Sequence, residues 1–66
     1  MEFKVLLKKA RQDAKLTRTQ LAEDSGLRVE SIMRYEQGEY VPTYHSLRGL
    51  AKALGVSGNY LLGLDD

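Results

Sequence analysis

Apolar residues recur along this chain at three- and four-residue spacings, and glycine, threonine or proline interrupts them at short intervals. Phe3, Leu6, Leu7, Ala10 and Ala14 gather on one side of a helix predicted over about 3–14, with Lys4, Lys8, Lys9 and Gln12 on the other. Thr17-Arg18-Thr19-Gln20 has the form of a capping box. In such a box the threonine hydroxyl accepts from the backbone N–H three residues on, and the glutamine reaches back to the threonine N–H. A second helix therefore runs from there to about Asp24, with Leu21 and Ala22 inward, and Gly26 suits the left-handed position that ends it. A third is expected from near Arg28 to Gly38, with Ile32 and Tyr35 as its apolar ridge.

Glu39-Tyr40-Val41-Pro42 reads as a turn, because proline bars continuation of the helix before it. Thr43 can cap a fourth helix in which Leu47, Leu50, Ala51 and Leu54 follow the i, i+3, i+4, i+7 pattern. Gly49 inside it costs about 1 kcal/mol of helix propensity relative to alanine. Gly55 ends that helix and Ser57 can cap a short fifth, whose apolar side is Tyr60, Leu61, Leu62 and Leu64, with Leu62 assigned to the core. Strand-type alternation occurs nowhere. The pattern predicts an all-α, compact five-helix bundle, a single domain over residues 1–66.

Composition narrows the chemistry. The chain has 66 residues and no cysteine, so disulfides are excluded, and the lone His45 has no thiolate beside it to build a zinc site. No nucleophile, base and orienting group are spaced to act together, so the chain reads as no enzyme, with no metal and no cofactor. No apolar run approaches the roughly 20 residues that span a bilayer, and the N-terminal apolar patch is too short and too charged for a signal peptide, so a cytoplasmic location is expected. Net charge is +1 but unevenly placed: residues 1–20 carry a balance of +4 and residues 21–66 a balance of −3. A basic segment favours polyanions, although a charged helix face is more often just a solvated one.

The second and third helices are separated by little more than Ser25-Gly26-Leu27. Helices joined this tightly meet at a steep angle, the helix-turn-helix unit, here about 17–37. It turns Leu21, Ala22, Leu27, Ile32 and Tyr35 inward and leaves Arg28, Val29, Glu30, Met33 and Arg34 on the outer face of the third helix. An exposed helix fits the major groove of B-form DNA. Arg34 can donate two hydrogen bonds to guanine O6 and N7. Glu30 can accept from cytosine N4 or simply be a solvated surface residue, and Val29 and Met33 can meet a thymine methyl or be ordinary surface apolar residues.

In order and spacing, several motifs then fall into register: Arg11, Leu16-Thr17 with Leu21-Ala22, Ser25-Gly26-Leu27, Ile32 with Arg34-Tyr35-Glu36 and Gly38, Pro42, Leu50 through Val56, and Leu61-Leu62-Gly63. Over nearly its whole length the chain resembles the lambda-repressor-like, Cro-type (XRE) helix-turn-helix family. The resemblance implies that Arg18 contacts phosphate at the start of helix two. It implies that Arg28, Val29, Glu30, Met33 and Arg34 reach bases or flanking backbone. It implies that the turn Glu39-Tyr40-Val41 and Thr43 lie against the sugar-phosphate chain, and that Arg11 and Glu36 form an ion pair tying helix one to helix three. The chain departs from the family pattern in two places. Arg28 stands where a Ser or Thr cap is usual, and a cation at the positive end of a helix is unfavourable unless a phosphate lies near. Glu39-Tyr40-Val41 replaces residues that are often Lys, Arg and Asn, which weakens phosphate attraction and predicts modest affinity or a shallow salt dependence.

The function these readings imply is a sequence-specific double-stranded DNA-binding transcriptional regulator, a repressor of bacterial or phage type. A homodimer on a palindromic operator is expected, with Tyr60, Leu61 and Leu64 as the dimer surface. Two alternatives stand beside it: a protein-interaction module of the same fold (an antitoxin or assembly domain), or the DNA-binding fragment of a longer repressor.

Overall fold

The computed structural model describes residues 2–64. Its five helices are α1 (Phe3–Asp13), α2 (Arg18–Ser25), α3 (Val29–Gln37), α4 (Tyr44–Leu54) and α5 (Gly58–Leu61), and no strand occurs among the described residues. None of these helices is long and apolar enough to cross a membrane.

The helices share one core. Leu7, Leu21, Ile32, Leu50 and Leu61 are each completely shielded from solvent, one from every helix in turn. Ala10, Ala22, Tyr35 and Ala51 join this cluster, and Leu16, Leu27, Leu47, Leu54 and Val56 pack against it from the rim. Each fully buried aliphatic side chain contributes about 1.5–3 kcal/mol relative to exposure, which in a chain this short makes every one of the five significant.

Two apolar expectations are corrected. Leu61, expected on a dimer surface, is fully buried, whereas Leu62, expected in the core, is 39% exposed. The cap decides the exchange. Ser57 accepts from the Tyr60 N–H at 2.9 Å, so Val56 precedes the cap and Leu61 stands four residues into the helix. Those are the two positions of a hydrophobic staple, and both turn to the core. The same pairing holds for Leu16 with Leu21 around the Thr17 cap and for Leu27 with Ile32 around Arg28. Ala14, expected on the inner side of α1, is exposed beyond its last turn.

All five helix ends close alike, with the N–H after the left-handed residue bonding back five residues and that residue's own N–H bonding back three. At α1 these bonds are Leu16 to Arg11 at 3.1 Å and Lys15 to Gln12 at 3.0 Å. Four ends use glycine at the positive-φ position; α1 uses Lys15, at φ 59°. A side chain held there costs roughly 1–2 kcal/mol, partly offset by the freedom a glycine would gain in the unfolded chain. Lys15→Gly is therefore expected to stabilise the protein by about 1 kcal/mol, read as a rise in the urea midpoint at unchanged slope.

Gly49 has a different reason to be glycine. A Cβ built there would lie 2.8 Å from the Ser25 carbonyl oxygen, so α4 crosses the end of α2 backbone to backbone. The propensity cost at this position is offset by that close approach, which seats α2 against the rest of the bundle.

Candidate nucleic-acid interface

The interface is built outward from α2. Gln20 N–H donates to Thr17 Oγ1 at 3.0 Å and Thr17 N–H donates to Gln20 Oε1 at 2.9 Å, so both halves of the capping box are present. Gly26 ends α2 in the left-handed conformation, and Leu27 N–H bonds to the Ala22 carbonyl at 3.0 Å. Only Gly26, Leu27 and Arg28 then separate α2 from α3. Arg28 is the extended residue that begins α3, and its side chain makes no cap hydrogen bond. The first N–H groups of α3 lack the acceptor a serine or threonine would supply there, a deficit of about 0.5–2 kcal/mol. An acceptor from outside the chain would remove it.

α3 turns Ile32 and Tyr35 to the core and leaves two rows outward. Val29, Met33 and Gln37 form one row and Glu30 and Arg34 the other, each at four-residue steps; Val29, Glu30, Met33 and Gln37 are exposed and Arg34 half-buried. Gln37 was not among the residues singled out in the sequence. It extends the Val29–Met33 row by one turn, and a side-chain amide is suited to adenine N6 and N7.

Beneath this face lies a charged joint. The Glu36 carboxylate is 1% exposed and receives Arg11 Nε at 2.6 Å, Arg11 Nη2 at 3.2 Å and Arg18 Nε at 3.0 Å. Arg11 also donates from Nη1 to the Leu16 carbonyl at 2.9 Å. One carboxylate on α3 thereby holds α1 and α2 together, with the Arg11 side chain 12% exposed and Arg18 42%. The place of Arg18 in this joint escaped the sequence reading. The available signal was its position: an arginine in the first turn of a helix needs a nearby anion. Arg18 spends one donor on Glu36 and retains the rest of its guanidinium at the surface, so the joint and a phosphate contact are compatible.

At the far end of α3, Arg34 Nη1 donates to Glu39 Oε2 at 3.0 Å, and the guanidinium carbon lies 5.6 Å from the centre of the Tyr40 ring. Thr43 accepts from the Ser46 N–H at 3.1 Å and donates its own hydroxyl hydrogen to Ser46 Oγ at 3.1 Å. Its hydroxyl is occupied as a cap, so a phosphate beside α4 would first meet the unpaired N–H groups of that helix's first turn. Tyr60 is half-buried and Leu64 exposed. His45 and Tyr44 are exposed, and no group of three or more His, Cys, Asp or Glu able to hold a metal ion is found among the described residues.

Comparison with known proteins adds three findings. A family model described as helix-turn-helix matches residues 7–61. The cryptic phage CTXphi transcriptional repressor RstR of Vibrio cholerae is 35% identical over 63 residues, covering 96% of this chain and 56% of that protein. Multiprotein-bridging factor 1a of Arabidopsis thaliana is 39% identical over 54 residues, covering 82% of this chain and 38% of that protein. The chain thus spans about half the length, or less, of these two relatives. Among solved structures, the P22 c2 repressor protein in complex with a synthetic operator has a TM-score of 0.92 at 28% identity, covering 98% of each chain.

Proposed function

The chain belongs to the helix-turn-helix family, and on that premise we propose that it is a sequence-specific transcriptional repressor that lays α3 in the major groove of double-stranded DNA. The observation that carries this function is the outward face of α3, with Arg28, Val29, Glu30, Met33, Arg34 and Gln37 presented on a frame like that of a repressor solved on its operator. Arg28 and Arg18 lie at the starts of α3 and α2, where phosphates would neutralise cations that the helix ends disfavour. It is a binding protein and not an enzyme, and it acts in the cytoplasm. The 56% coverage of the phage repressor fits a DNA-binding portion of a longer regulator.

One α3 reads only a few base pairs, so a two-fold dimer on a palindrome belongs to this proposal. Its surface is α5 and the residues after it, with Tyr60, Leu62 and Leu64 in place of the buried Leu61.

The test is selection from randomised duplexes at two salt concentrations. The expected result is a palindrome with half-sites about 34–36 Å apart and, for Arg34→Ala, loss of preference at one base pair in each half. The salt dependence is expected to be shallow, because Glu39 offsets positive charge where phosphates would pass. Similarity to a protein named a multiprotein-bridging factor favours a second reading, in which the same fold docks a protein. Retention without sequence preference that is indifferent to Arg28→Ala and Arg34→Ala would put that reading first.

A further inference from the structure

We propose that Glu39 is a positioning residue for base recognition: with Tyr40 it fixes the Arg34 guanidinium for a guanine and so sets specificity without touching a base. This rests on α3 being the DNA-reading helix. Glu39 is attached to Arg34 twice. Its backbone N–H bonds to the Arg34 carbonyl at 2.9 Å as part of the helix end, and its carboxylate takes Arg34 Nη1 at 3.0 Å. The second wall of the cradle is Tyr40, whose ring stands edge-to-face to Tyr35 at 6.0 Å and 73°. Tyr35 is itself buried and meets Phe3 of α1 edge-to-face at 5.7 Å. The guanidinium therefore lies over the first of three rings joined edge-to-face, the middle one of which, Tyr35, is part of the core.

With one Nη1 hydrogen donated to Glu39, the edge formed by Nε and Nη2 stays wholly free to donate. Two parallel N–H groups on that edge match guanine O6 and N7. An arginine already fixed in place loses less rotamer freedom on binding than one free in solvent. A single exposed ion pair would not hold it, since such pairs contribute little. Here the carboxylate and the ring both act on the Arg34 side chain, while the backbone bond holds Glu39 itself in place at the helix end.

Glu39 also contributes a penalty. Its negative charge cancels the attraction Arg34 would otherwise exert on any phosphate, so non-specific binding gains nothing from this arginine. Removing the carboxylate should thus raise binding to arbitrary DNA while lowering discrimination at one base pair. A residue that merely screens charge would do only the first.

The experiment has two arms, each on the intact chain. In selections from randomised duplexes, Glu39→Ala should reduce the guanine preference at the position lost in Arg34→Ala by roughly tenfold, leave other positions unchanged, and raise retention of unselected DNA. In the free protein, ¹⁵N relaxation should show Arg34 Nε restrained relative to the exposed Arg28 Nε, and released to the same mobility by Glu39→Ala. An unchanged or sharpened guanine preference in Glu39→Ala overturns the proposal while leaving α3 as the reading helix. So does an Arg34 Nε as mobile as that of Arg28 in the unsubstituted protein. Absence of any sequence preference in the unsubstituted protein overturns both.

Discussion

Arg11→Met is expected to cost about 3 kcal/mol, which for a domain this small lowers the melting temperature by roughly 12–24 °C. Methionine preserves most of the aliphatic stem, so the loss isolates the guanidinium. Glu36 has 1% exposure and cannot recover water when Arg11 goes; it would keep only the single bond from Arg18. The cost lies in leaving a buried carboxylate under-compensated, not in the attraction between the charges as such. Arg18→Met supplies the contrast. Its side chain is 42% exposed, so water screens its pull on the carboxylate and its removal is expected to cost less, about 1 kcal/mol. Urea denaturation followed by circular dichroism reads both variants. Equal losses would mean that the two arginines share the carboxylate evenly and that depth of burial does not rank them.

Gly49→Ala is expected to destabilise by about 2 kcal/mol, even though alanine is the better helix former by about 1 kcal/mol. The added methyl would sit 2.8 Å from the Ser25 carbonyl oxygen, and neither backbone is free to retreat. Ser25 lies in the last turn of α2, closed by the Gly26 and Leu27 hydrogen bonds, and α4 is pinned by Leu50 and Ala51 in the core. The variant must shift α4 off α2 or strain both. A melting temperature at or above that of the unsubstituted protein would show that the helices separate without penalty.

The existence and order of the helices could be read from capping residues and apolar periodicity, because those signals are local. Thr17 with Gln20, Gly26, Gly38, Thr43, Gly55 and Ser57 each mark a boundary within a residue or so. The outer face of α3 followed from the same periodicity once Ile32 and Tyr35 were set inward. The fifth helix defeated periodicity, since one turn contains too few residues to define a face. The staple formed by Val56 and Leu61 holds the answer, but only after Ser57 is accepted as the cap. Contacts between distant segments were less legible. Nothing local announces that Arg18 shares the Glu36 carboxylate, or that Gly49 answers to Ser25 and not to its own helix. Glu39 looked like a misplaced charge in a turn, and its partner five residues back became visible only when the end of α3 was folded.

The single fully shielded side chain contributed by each helix has a consequence for how the molecule opens. Leu7, Leu21, Ile32, Leu50 and Leu61 belong to one continuous cluster, so withdrawing any one would leave a void in the core that all five helices share. Partial opening is therefore nearly as costly as complete opening, and no helix makes an independent cooperative unit. The most protected amides of all but the shortest helix should exchange with solvent through one common event, at one common free energy. Under the proposed function, the helix that would lie in the groove is then expected to be as durable as the fold that supports it.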